Sequence, residues 1–242
     1  MRAIPPFCLF VLLAMLGACG DSEPPSGEPT ASTLSLDSLP LTPGETYLIT
    51  GGGDTLRLAI LAPEDGRQRL VRVQRGETAD SAAVVIDAAT KVPLESFRLA
   101  VGVDGDTVSA RIEYDRGFEG QARLTLTVRQ GTGVENLRTP PPFLDAAQLP
   151  LTLAALPFGR LDSLHFNYVA PFEKRALAAF LLVGALDTLR IAGASVAAWP
   201  VHLQVSGLEE RYWFPDQPPH AIVRLEEITR GRTWTRAEPP TP

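Results

Sequence analysis

A strict alternation of apolar and polar residues through the middle of the chain limits what it can fold into more than any other feature. Phe97, Leu99, Val101 and Val103 alternate with Arg98, Ala100, Gly102 and Asp104, and Val108, Ala110, Ile112 and Tyr114 alternate with Ser109, Arg111 and Glu113. Successive side chains of a strand point to opposite faces, so a period of two specifies a half-buried strand and not a helix. Asp104-Gly105 between the two runs reads as a two-residue hairpin turn. With Val103 opposite Asp106, Val101 falls opposite Val108, Leu99 opposite Ala110 and Phe97 opposite Ile112, which gathers the apolar residues on one face.

The same period recurs at Ala122, Leu124, Leu126 and Val128, at Leu164, Phe166 and Tyr168, and at Trp199, Val201, Leu203 and Val205. Residues 47–50 and 55–61 flank Gly51-Gly52-Gly53, and residues 211–214 and 220–228 read as a final hairpin closed by Asp216-Gln217-Pro218-Pro219. About ten strands are expected, in one meandering antiparallel sheet. Pro150 can open a short helix running to about Leu156 and stopped by Pro157. Residues 173–183 have two readings: a helix, on their Ala and Leu content, or a strand pair turning near Gly184.

The first residues carry an address. Arg2 precedes the uncharged, mostly apolar residues 3–16, the layout of a secretory signal and shorter than the roughly 20 residues of a membrane-spanning helix. Leu16-Gly17-Ala18-Cys19 resembles the bacterial lipobox, which implies that Cys19 is lipidated and becomes the mature N-terminus. Gly20 after it implies an outer-membrane destination facing the periplasm. Ordinary cleavage after Gly20 is the competing reading and would release a soluble protein. Residues 20–43 hold five Pro, five Ser, four acidic residues and no Lys or Arg, a composition that cannot offset its chain entropy by burial. The expected organisation is a signal peptide over 1–18, a lipidated Cys and disordered tether over 19–43, a folded domain over 44–238 and a frayed tail over 239–242.

Chemistry is sparse. With Cys8 in the removed segment and Cys19 acylated or lost, the mature domain has no thiol for disulfides, Cys-dependent metal sites or nucleophilic attack. His165, His202 and His220 are too widely spaced to announce a metal site. Gly193-Ala194-Ser195-Val196-Ala197 superficially matches a nucleophile elbow, but it leads into an alternating run and reads as a turn or strand start. Glu209-Glu210 and Glu226-Glu227 would each split across a strand, so they read as solubilising charges. Gly51-Gly52-Gly53-Asp54 lacks the Lys of a phosphate loop, and Gly131-Thr132-Gly133 reads as loop. A net charge of −6 with no basic run excludes a nucleic-acid footprint. No catalytic residue, cofactor motif or metal ligand is assigned.

Four runs in order carry a family resemblance: Asp87-Ala88-Ala89-Thr90-Lys91-Val92-Pro93-Leu94, Leu153-Ala154-Ala155-Leu156-Pro157-Phe158, Ile191 through Trp199, and Arg211-Tyr212-Trp213-Phe214-Pro215-Asp216. They resemble landmarks of the bacterial envelope domain-of-unknown-function family 3108, which is similar in architecture to the lipoprotein carriers LolA and LolB. The resemblance implies a mainly β domain, a curved antiparallel sheet forming a half-open barrel with one or two short helices, with residues 173–183 mainly strand. It also implies an apolar cavity, for which Phe97, Tyr114, Phe166, Tyr168 and Trp199 are the candidate lining. The expected function is a lipid-anchored, non-catalytic binder of a lipid or another hydrophobic molecule. The alternative is an interaction module with a filled core that meets a partner protein through a sheet edge or the Trp213-Phe214 region.

Overall fold

The computed structural model describes residues 39–115, 120–218 and 220–238. The described residues all belong to one compact unit. Cys19, the signal segment, the tether up to residue 38 and the tail over 239–242 lie outside the described residues.

Eight strands follow one another by hairpins: β1 Gly44–Ile49, β2 Thr55–Ile60, β3 Arg67–Arg75, β4 Ala79–Asp87, β5 Pro93–Val101, β6 Thr107–Tyr114, β7 Gln121–Val128 and β8 Gly131–Arg138. A short strand β9 Phe143–Asp145 and helix α1 Leu149–Leu153 precede β10 Ser163–Ala170, β11 Arg175–Val183, β12 Asp187–Ile191 and β13 Ala194–Val205. The chain ends in β14 Leu208–Pro215, β15 Arg224–Glu227 and β16 Arg232–Arg236. All sixteen belong to one sheet, ordered β8-β7-β6-β5-β4-β3-β2-β1-β16-β15-β14-β13-β11-β10-β9, with β12 also paired to β13. Neighbours are antiparallel except β9 and β10. The mainly β fold implied by the resemblance, an open curved sheet with one short helix, is the fold observed.

β1 pairs with β16, so the first and last strands join the two halves of the sheet. The sheet curls until its outer strands approach: Lys174 Nζ reaches Glu135 Oε1 of β8 at 2.5 Å. Tyr114 of β6 stacks on Phe143 of β9, centroids 5.4 Å apart. Leu48, Leu56, Leu70 and Val84 from one half share a core with Leu164, Leu181, Leu203, Leu225 and Trp234 from the other. Helix α1 is buried along its whole length and carries Pro150 in its first turn, where the missing N–H costs nothing. Gln148 fixes it by donating from Nε2 to the Lys91 carbonyl of the β4–β5 turn at 2.9 Å.

Several expectations need correction. The β5–β6 hairpin turns through a five-residue loop closed by Gly102 N donating to Asp106 O, not through a two-residue turn. The register is therefore shifted by one: Phe97 lies opposite Arg111, Arg98 opposite Ala110 and Ser96 opposite Ile112. A one-residue slip exchanges the faces of a strand. Ala110, Ile112 and Tyr114 remain buried, but their β5 neighbours on that face are Ser96 and Arg98, and Phe97 is 44% exposed. Gly131-Thr132-Gly133 opens β8 and is not loop. Among the described residues the strands number sixteen, not about ten, and β16 follows the pair expected to be last. Residues 175–183 form a strand paired to β10 and β13, as the resemblance implies, because cross-strand burial of Ala179 and Leu181 outweighs helix propensity. The last residues assigned to the tether pack instead, with Leu39 and Leu41 buried in the core and the Leu41 carbonyl accepting from Gln68 Nε2 at 3.2 Å.

Candidate functional site: an apolar cavity at one end of the sheet

Ser195 follows a tight turn, as read from the sequence: Ala192 and Gly193 have φ of 48° and 85°, and β12 and β13 pair on either side from Arg190↔Ser195. This is a β-hairpin with no helix after it, so the strand–turn–helix frame of a nucleophile elbow is absent at Ser195. The hairpin forms one wall of a cavity of about 830 Å³. Residues 39–46 at the start of β1, Leu58 and Ile60 of β2, helix α1 with Ala154 and Ala155, residues 215–218 and 220–222 at the end of β14 and beyond it, and Arg236 also line it. The volume lies inside the roughly 300–1,000 Å³ range of small-molecule sites.

Most of the lining is apolar, and Glu45, Asp216, His220 and Arg236 are among its polar members. Glu45 is held by the Arg57 guanidinium and the Tyr47 hydroxyl, which keep its carboxyl below the usual range. Asp216 accepts from Trp199 Nε1 at 3.0 Å. His220 Nδ1 sits 2.7 Å from the Pro215 carbonyl, with its ring edge-on to Phe158 at 5.2 Å. Phe158 in turn stacks on Phe214, centroids 5.2 Å apart. Gly159, at φ +80°, lets the chain pass against Trp199, where an added Cβ would lie 3.5 Å from the indole. Ser195, His220 and Asp216 all line the cavity, yet no hydrogen bond joins one to another: His220 and Asp216 are committed to Pro215 and Trp199.

None of the five residues proposed from sequence as cavity lining is part of this wall. Phe97 points outward, and Phe166 is packed in the core. Tyr114 is buried and donates to Asp145 Oδ2 at 2.6 Å, its phenol raised far above the ordinary value by burial and that carboxyl. Tyr168 faces a second, small cavity, and burial followed by the Glu210 carboxyl pushes its phenol up to about 12. Trp199 supports the wall from behind by holding Asp216. The actual lining is mostly Ala, Pro and Leu from strand ends and loops, which carry no alternation signal.

The acidic pairs also differ from expectation. Glu209 and Glu226 take the outer face, where Glu209 meets His202 Nε2 at 2.7 Å and Glu226 meets Arg224 at 2.8 Å. Glu210 and Glu227 meet on the inner face as cross-strand partners. Glu227 is 1% exposed and accepts from Arg232 Nε at 2.7 Å and Trp234 Nε1 at 2.9 Å. Burial raises the Glu210 carboxyl above its ordinary value. A raised carboxyl binds more protons folded than unfolded, so it destabilises at pH above the folded value and has no effect below the unfolded one. Glu210→Gln is therefore expected to raise stability at pH 7 by up to about 1 kcal/mol. Urea denaturation at pH 7 and pH 4 checks this, the gain fading at the lower pH.

Among the described residues no group of three His, Cys, Asp or Glu is placed to hold a metal ion. The fold and cavity define a β-barrel-like domain, an open curled sheet plugged by one helix. No protein-family model and no curated protein matches the sequence. Among solved structures, the chain is similar to a β-barrel-like protein of domain of unknown function DUF1849 from Brucella abortus. The TM-score is 0.50 and the identity 12%, over 81% of this chain and 94% of that one.

Proposed function

We propose that the protein is an envelope lipoprotein, anchored through Cys19 to the outer membrane and facing the periplasm, whose domain binds a lipid or another hydrophobic molecule without transforming it. On this reading it is a relative of family 3108 and of the LolA and LolB carriers. The observation that carries the proposal is the cavity of about 830 Å³ with a mostly apolar lining. Each Å² of apolar ligand buried there contributes about 25 cal/mol before the costs of association. Binding without catalysis is supported by the separate commitments of His220 and Asp216. The interaction-module alternative loses one of its surfaces, because Trp213 is 7% exposed and Phe214 fully buried.

Native mass spectrometry of the chain carrying Cys19→Ser, purified without detergent, tests the reading. A discrete lipid-sized adduct is expected in the unmodified cavity, and Ala155→Trp, which fills it, should remove the adduct while Phe97→Ser on the outer face leaves it. A bare mass that stays bare after incubation with membrane extract would overturn the proposal.

A further inference from the structure

A second cavity, of about 60 Å³, lies on the inner face of β3–β5 and shares no lining residue with the first. Arg72 and Arg98 both stand opposite Ala82 in the ladder, one on each side, and the small side chain of Ala82 leaves the space between them. Arg230, Tyr168 and Glu210 close the cavity from the other half of the sheet. A buried water needs roughly 10–15 Å³ measured in this way, so the space takes a few waters or one tetrahedral anion.

Three guanidiniums share the carboxylates around this space. Asp80 is committed to Arg98, accepting at 3.1 and 2.6 Å from Nε and Nη2. Arg72 carries five N–H donors, and among the described residues its hydrogen-bond partner is Asp80 Oδ2 alone, at 3.4 Å. Its side chain is 15% exposed, and its remaining donors have no protein acceptor among the described residues. Arg230 stands at the mouth, 53% exposed, and its acceptor Glu227 is already bonded to Arg232 and Trp234. Glu210 faces the same space, and burial raises its carboxyl above the ordinary value. Planar guanidinium forks match the oxygen pairs of phosphate and carboxylate groups, and guanidinium donors free of protein acceptors can turn to such a partner.

We propose that Arg72, Arg98 and Arg230 form an oxyanion-binding pocket that takes one phosphate group, with Tyr168 as a neutral donor at its wall. The pocket is independent of the apolar cavity. Free phosphate and a phosphomonoester lipid head share this chemistry. Isothermal titration of the Cys19→Ser chain at constant ionic strength, with inorganic phosphate in one arm and dihexanoyl phosphatidic acid in the other, separates the two sources. The expected result is saturable one-to-one binding in at least one arm, weakened about tenfold or more by Arg72→Gln and by Arg230→Gln, which is a loss of about 1.4 kcal/mol for each. Arg230→Gln leaves Glu227 its bonds to Arg232 and Trp234, so it tests the pocket even if Arg72→Gln fails to fold. Binding of inorganic phosphate assigns a free anion, and binding of phosphatidic acid alone assigns a lipid head. No binding in either arm, or equal binding by wild type and Arg230→Gln, overturns the proposal.

Discussion

Trp234→Ala is expected to lower the free energy of unfolding by about 3–5 kcal/mol, the range for emptying a buried Trp site. Trp234 is fully buried in β16, the strand whose pairing to β1 joins the two halves of the sheet. Its ring shares the core with Leu225 directly across the ladder and lies under the Arg232 guanidinium at 5.1 Å. Its Nε1–H donates to Glu227, so truncation both opens a cavity and removes one donor from a carboxylate that is 1% exposed. Small domains are stable by only about 5–15 kcal/mol, so this one change removes a large share. Trp234→Phe keeps most of the volume and loses the N–H, for which about 1–2 kcal/mol is expected. Urea melts with a lowered midpoint and an unchanged slope are the expected signature. A loss below about 1 kcal/mol for the Ala variant would show that the β1–β16 seam is not part of the cooperative fold.

The sheet was legible wherever a strand buries apolar residues on one face and shows polar ones on the other. β6, β7, β10 and β13 are of this kind, and their buried residues Ala110, Ile112, Tyr114, Ala122, Leu124, Leu164, Phe166, Val201, Leu203 and Val205 are among those the alternation names. The rule passes over β3 and β4 because their inner face carries Gln68, Arg72, Gln74 and Asp80 among Leu70, Val84 and Ile86. It passes over β8 because that edge strand buries only Leu137. The slipped register of β5 has the same origin: an ion network, not apolar burial, occupies the face to which Arg98 points. Residues 175–183 were ambiguous because propensity is local, whereas the pairing partners, β10 and β13, are set by the whole sheet. The large cavity was illegible for a different reason. Its Ala, Pro and Leu lining is the composition of an ordinary packed core, and only the arrangement of strand ends keeps those side chains apart. The polar pocket is assembled from β3, β4, β5, β10, β14 and the turn after β15, positions far apart in sequence with no motif among them.

Asp80→Ala should be the most damaging single change on the polar side of the domain, costing about 3 kcal/mol at neutral pH. Asp80 is 13% exposed and is the shared acceptor of Arg98 and Arg72, which are 20% and 15% exposed. Removing it leaves two covered guanidiniums without their carboxylate, and the lower end of the range for a broken buried pair applies because all three groups keep some contact with solvent. Burial alone would raise the Asp80 carboxyl; the hydrogen bonds and charge of Arg98, helped by Arg72, outweigh it and hold the group below its ordinary value. A depressed carboxyl contributes stability that is complete above the unfolded pKa, near 3.9, and is lost as pH falls through the folded one. The gap between wild type and Asp80→Ala should therefore be constant from about pH 5 upward and shrink in more acid solution, which denaturation at a series of pH values would show. Asp80→Asn keeps an acceptor in place and should recover part of the loss without restoring the pH dependence. A gap that stayed constant down to pH 2 would mean that the packing of the side chain, not its charge, holds β3, β4 and β5 together at this face.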